Sequence, residues 1–230
     1  MCGKFTAMAS YAEVHAFHSF FTKSAEEHAA EQDQEVTFRV MSNLPLLVWD
    51  KEAQERKILH ARWGFPHYSD WRRPDPIHAR SETIDEKKSF KNAFLDGQRG
   101  IVLVKTFNEA ADAGNGKSGP QHTITPDTDK SGIAMLWRKF DVGAPLPLYA
   151  CVMVTVPANK LITALPTDRM PAVLDPADWA KWIGEEAATV DELKAMLKTV
   201  EGTKWRMNKE EKKAKQPRQK PTISDPSGLF

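Results

Sequence analysis

The sequence is short of cysteine: Cys2 and Cys151 are the only two in 230 residues. Two thiols cannot build the disulfide framework of a small secreted scaffold, and no CxxC or Cys/His spacing marks a zinc site. Long apolar runs are also missing. The longest, residues 44–49 and 149–156, fall far below the roughly 20 residues a membrane-spanning helix needs. The opening MCGKFTAMAS has no basic stretch leading into an apolar one, so no secretory signal is expected. Together these absences point to a soluble protein of a reducing, cytoplasmic compartment with no membrane partner.

Net charge is nearly absent too, at +1, but it is unevenly spread. Residues 204–220 hold eight Lys or Arg against Glu210 and Glu211, a net of +6, so the remainder carries −5. The expected organisation is one domain over residues 1–207 and a basic, disordered tail over 208–230, where the chain turns polar and Pro-punctuated. Such a tail either holds nucleic acid through phosphates or is a solvated appendage. The hydrophobic share of 41% and charged share of 27% are those of an ordinary globular protein with one core.

Apolar periodicity predicts a short strand over residues 1–6 and an amphipathic helix over 11–31, with Val14, Phe17, Phe20 and Phe21 on one face. His15 and His18 sit on that helix; with no third ligand in the pattern, packing is the reading and no metal is expected. Strands are predicted at 46–50, 58–63, 101–107, 133–137 and 148–156, rich in β-branched, aliphatic and aromatic residues. Helix starts are signalled by Thr83 with Glu86, by Asp175 before Pro176, and by Thr189 with Glu192. Residues 110–130 read as a long loop or irregular hairpin. The fold class is therefore α+β, a single compact domain on a curved, mainly antiparallel β-sheet with peripheral helices.

Cys2 is the first candidate for chemistry. Removing Met1 would leave its thiol and α-amine on adjacent carbons, a 1,2-aminothiol that condenses with an aldehyde and closes through sulfur to a thiazolidine. Both groups have reference pKa values of about 8 to 8.5, so part of each is nucleophilic near neutral pH. The competing reading is a small strand residue without chemistry.

Four further segments follow Met1-Cys2-Gly3-Lys4-Phe5 in order: Trp63-Gly64-Phe65-Pro66, Ala79-Arg80-Ser81-Glu82-Thr83-Ile84, Phe107-Asn108-Glu109, and Asp168-Arg169-Met170-Pro171-Ala172-Val173-Leu174. In this order they resemble the SRAP family, the SOS-response-associated peptidases that capture abasic sites in single-stranded DNA, and the resemblance spans roughly residues 1–180. It implies a compact, monomeric domain with a cationic groove for single-stranded DNA, acting in the bacterial cytoplasm at the nucleoid without metal or cofactor. By position, Cys2 matches the nucleophile, Glu109 the proton-relaying carboxylate and Arg80 the phosphate-binding arginine, whose fork holds two oxygens. By spacing alone, Glu109 is equally a solvated strand-end glutamate, and Arg80 equally an ion-pair partner of Glu82. Lys4 stands where the family has arginine. Arg39 and Arg169 complete the expected DNA contacts, with Trp63 either a core residue or a base-stacking platform.

Two positions depart from the family pattern. Thr167 stands where the family has its active-site histidine, and a hydroxyl does not titrate near pH 7 as imidazole does. His78 stands where the family has asparagine, which suggests that His78 takes over the proton transfers vacated at Thr167. Residues 38–42 match the family only through Val40. The terminal Leu229-Phe230 resembles the short peptides that repair proteins insert into the sliding clamp, two apolar anchors fitting a hydrophobic groove. Two other functions fit parts of the sequence: a Cys2-dependent peptidase or amidohydrolase in which the α-amine is the base, and a non-covalent binding module for single-stranded DNA or a repair partner.

Overall fold

The computed structural model describes residues 2–7, 36–112, 118–127 and 131–210. The helix expected over 11–31, with His15 and His18, and the terminal Leu229 and Phe230 lie outside these residues. The strands are β1 (Lys4–Ala7), β2 (Val36–Arg39), β3 (Asn43–Asp50), β4 (Glu55–Trp63), β5 (His78–Arg80), β6 (Arg99–Asp112), β7 (Ser118–Thr125), β8 (Ser131–Phe140), β9 (Leu148–Pro157), β10 (Arg169–Pro171), β11 (Val173–Leu174) and β12 (Arg206–Lys209); the six expected strands correspond to β1, β3, β4, β6, β8 and β9, and the other six were not individually expected. Among the described residues the α-helices are short: α1 (Lys91–Leu95), α2 (Trp179–Ile183) and α3 (Val190–Met196).

Strands β8, β9, β4, β3 and β6 pair in that order, and β6 pairs again with β8, which closes a ring. Pairing is antiparallel except where β9 runs parallel to β4 and β5. Closure removes free edges and wraps the apolar faces around one core containing Leu46, Ile101, Met135 and Val152. Two long strands outrun the ring. The first half of β6 pairs with β8, while its second half pairs with β1 and β7. This partner change extends the same sheet beyond the ring as β2–β1–β6–β7–β12. The end of β9 likewise carries β5 on one side and β10 on the other.

The expected hairpin over 110–130 is the β6–β7 pair, with a register shift between Ala110 and Asp112. Strand β12 straddles the boundary set at 207 and pairs with β7 through Lys209. The Thr189 capping box is present, its hydroxyl accepting from Glu192 N–H, and Asp175 caps the turn that leads into α2. The Thr83 box is not: Thr83 ends a 3₁₀ turn, and α1 starts only at Lys91, after Phe90, which makes no side-chain cap. Ile84 is fully buried and Asp85 pairs with Lys194 at 2.7 Å. These tertiary contacts hold the intervening chain in turns, overriding the local helix signal.

Candidate active site

Phe5 anchors β1. It is fully buried, pairs with Phe107 across β6 and packs on Trp63 at a ring distance of 5.1 Å, which secures the residues ahead of it. The register sets Lys4 opposite Asn108, so, continued one residue, it sets Gly3 opposite Glu109. Cys2 follows, 2% exposed, its thiol donating to the Lys4 carbonyl at 3.3 Å. From β5, His78 Nε2 lies 2.7 Å from the Cys2 carbonyl oxygen. A carbonyl only accepts, so Nε2 carries the proton and Nδ1 keeps its lone pair. The imidazole is held edge-on to Trp63.

Burial tunes all three groups. It pushes the Cys2 thiol up to about 12, with the neighbouring Glu109 charge adding to the effect. It lowers His78 to about 4, and it raises Glu109. Near neutral pH the thiol is therefore protonated and the imidazole neutral. The site does not ionise Cys2 in advance, so the thiol must give up its proton during reaction, and Glu109 is the carboxylate close enough to feel it.

The other expected residues divide. Arg169 is 6% exposed and forks onto Glu82, Nη1 to Oε1 at 2.5 Å and Nη2 to Oε2 at 2.9 Å, with Nη2 also donating to the Thr155 carbonyl. It ties β10 to β9 and to the 3₁₀ turn after β5, and its donors are not presented to a phosphate. Trp63 is fully buried with its indole N–H donating to the Ile77 carbonyl, so it is a core residue and not a stacking platform. Thr167 donates to the Arg169 carbonyl at 3.4 Å, within its own turn. Since Glu82 is taken by Arg169, Arg80 is left exposed, its side chain making no hydrogen bond or ion pair among the described residues. Lys4 pairs with Glu210 at 2.8 Å, and Arg39 lies exposed on β2 directly opposite Lys4. A pocket of about 400 Å³ on this side is lined by Lys105, Lys204 and Arg206 with Asp127.

Two features escaped the sequence reading. The chain between β4 and β5 leaves as a loop closed by Phe65 and Asp75, whose tip exposes 95% of Tyr68, its ring tilted against His67 with centroids 4.2 Å apart, and seats Arg72 over Trp71 at 4.6 Å. The interleaving in Pro66-His67-Tyr68-Ser69-Asp70-Trp71-Arg72-Arg73 was its signal: aromatic faces alternating with cations suit unpaired bases and their phosphates. Gly64, at φ +114°, lets the loop start, because a Cβ there would stand 2.3 Å from Pro74 Cβ. The second feature is Glu210, which no local pattern distinguishes from its charged neighbours.

Among the described residues no three His, Cys, Asp or Glu gather as metal ligands. The family model of the SOS response associated peptidases (SRAP) matches residues 1–216. The chain is similar to the abasic site processing protein YoqW of Bacillus subtilis (strain 168), 23% identical over 202 residues that cover 86% of each chain. It is 30% identical over 151 residues to the abasic site processing protein HMCES of Gallus gallus, covering 55% of this chain and 44% of that one. In three dimensions it resembles a solved protein of Bacteroides thetaiotaomicron with a TM-score of 0.72, at 19% identity over 92% of this chain and 93% of that one. A Bordetella bronchiseptica protein gives 0.69, at 18% identity over 91% and 100%; at such identity these two speak for the fold alone. With the sequence match running from the first residue to 216 and the barrel shared, the chain belongs to the SRAP family.

Proposed function

We propose that this protein captures abasic sites in single-stranded DNA through a thiazolidine formed by Cys2, once Met1 has been removed. The observation that carries the proposal is the meeting of Cys2, His78 and Glu109 at the start of β1. The names of the relatives, which process abasic sites, supply the substrate class.

The ring-opened abasic sugar presents an aldehyde. The Cys2 α-amine adds to it, giving a carbinolamine that loses one water to form the imine. The Cys2 sulfur then attacks the imine carbon while its proton passes to the nitrogen, and the five-membered ring closes. The net change is one C–N and one C–S bond formed and one water lost. Each step moves a proton, and Glu109, whose carboxyl is raised by burial, relays between the amine, the leaving hydroxyl and the thiol. His78 holds the Cys2 carbonyl, which orients amine and sulfur together, and its free Nδ1 is a second acceptor that takes over part of the role of the family histidine absent at Thr167. Arg80, Arg39 and the aromatic loop at Tyr68 bind the strand non-covalently.

The test is intact-mass analysis after mixing the processed protein with an abasic-site oligonucleotide. The expected product has the mass of protein plus oligonucleotide less one water, and Cys2→Ala gives none. Binding without a mass shift would leave the non-covalent module as the correct function.

A further inference from the structure

The cationic end of the site is occupied by a carboxylate of the same chain. Glu210 extends the β12 pairing, its N–H donating to the Gln121 carbonyl at 2.8 Å, and its side chain turns back along the sheet. There it accepts from Lys4 Nζ at 2.8 and 3.0 Å, from Asn108 Nδ2 at 2.6 Å and from Thr123 Oγ1 at 3.1 Å. The register explains the convergence. Lys4 stands opposite Asn108 and Asn108 opposite Thr123, so a cation, an amide and a hydroxyl form one row across β1, β6 and β7. Asn108 is 2% exposed and its Oδ1 has no hydrogen-bond partner among the described residues, so there the side-chain amide meets its surroundings through its donor side. The Lys4 ammonium holds the Glu210 carboxyl below the usual carboxylate range.

A row of donors that satisfies a carboxylate also suits a phosphate, because both present several charged acceptor oxygens to N–H and O–H groups. We propose that Lys4, Asn108 and Thr123 form a subsite for a backbone phosphate of the bound strand, and that Glu210 is a latch filling it in cis until the strand displaces it. The proposal rests on the single-stranded-DNA function given above. Lys4 is two residues from Cys2, about 7 Å along extended chain, which brings a phosphate near the captured sugar within its reach. Exchanging one anion for another keeps the hydrogen bonds, so the latch sets a threshold: a strand held elsewhere, at Arg80 or the Tyr68 loop, opens it, and a passing anion does not.

The experiment uses the full chain and an undamaged single-stranded oligonucleotide, with affinity followed by fluorescence anisotropy over a range of salt. Glu210→Gln keeps the side-chain shape and removes the charge that neutralises Lys4. The expected result is binding tightened by about three- to fivefold, the scale of a partly exposed ion pair, with the slope of log affinity against log salt steeper by about 0.7 for one added phosphate contact. In a Lys4→Ala background the Glu210 change should have no effect on binding. Unchanged affinity in Glu210→Gln, or a gain that survives the loss of Lys4, overturns the latch. A thermal midpoint measured alongside, with Glu210→Ala as a second variant, separates this from a purely structural ion pair, whose loss lowers stability without tightening binding. If neither wild type nor variants bind the oligonucleotide, the DNA function itself fails and the latch with it; wild-type binding with no gain removes the latch alone.

Discussion

His78 donates through Nε2 to the carbonyl oxygen of Cys2 at 2.7 Å, across 76 positions of sequence. The residue that would carry the chemistry, ahead of the first strand, is thus held by a side chain from a different part of the sheet, and the strength of that hold decides how well its nitrogen and sulfur address one carbonyl carbon.

The two departures from the family pattern should therefore be unequal in effect. His78→Ala is expected to slow covalent capture about tenfold or more, whereas Thr167→Ala, whose hydroxyl meets only its own turn, should stay within about twofold. His78→Gln sorts the role further, since its amide can still donate to the Cys2 carbonyl but cannot titrate or accept as Nδ1 does. Recovery by Gln marks positioning; a rate as slow as the Ala variant marks proton transfer. Equal, negligible effects of Ala at both positions would remove His78 from the mechanism.

Stability should depend on His78 in acid. Burial lowers its folded-state pKa from 6.5 to about 4, so the unfolded chain takes up the proton first as pH falls. Above pH 6.5 the group contributes no pH dependence. Between 6.5 and 4 the wild type loses up to about 3 kcal/mol through this residue. Urea denaturation at pH 7 and pH 4.5 should show a larger loss for wild type than for His78→Gln, by about 2 to 3 kcal/mol. Equal losses would mean that the imidazole is not buried as described.

Glu109→Gln tests the proton relay without changing shape. Capture should slow by about 10² to 10⁴, while affinity for undamaged single-stranded DNA stays within about twofold, because this carboxylate is 1% exposed and offers nothing to a phosphate. A parallel fall in affinity would show that the variant had disturbed β6 instead.

Arg169 makes the opposite case. Its fork on Glu82 and Thr155 predicts that Arg169→Ala lowers unfolding stability by about 2 kcal/mol, through lost charge-assisted bonds and an orphaned Thr155 carbonyl. The salt dependence of DNA binding should run parallel to wild type. A slope shallower by about 0.7 would instead assign Arg169 to a phosphate.

Much of the fold was legible locally. Runs rich in β-branched, aliphatic and aromatic residues marked β3, β4, β6, β8 and β9, because these strands fill the core, β8 and β9 being buried along both faces for much of their length. Thr189 read as a cap and is one, whereas Thr83 has the same signature and is not. The difference lies in the buried Ile84 and the Asp85–Lys194 pair that follow Thr83, contacts that depend on chain far from it. The aromatic and basic loop at Tyr68 escaped the reading although its residues carry the pattern, because nothing local marks which aromatics stay exposed.

The sequence by itself determined the chemical inventory: a cysteine behind the initiator methionine, the ordered family segments, and the apolar, β-branched runs that build strands. Tertiary structure decided which partner each polar group takes. It turned Arg169 inward to Glu82, left Arg80 exposed, buried Trp63, brought His78 to Cys2 and laid Glu210 on Lys4. The physical reason is that ion pairs and hydrogen bonds form over about 3 Å. Such proximity between distant segments is created only when β6 and β9 change partners along their length, a pairing that no local run of residues encodes.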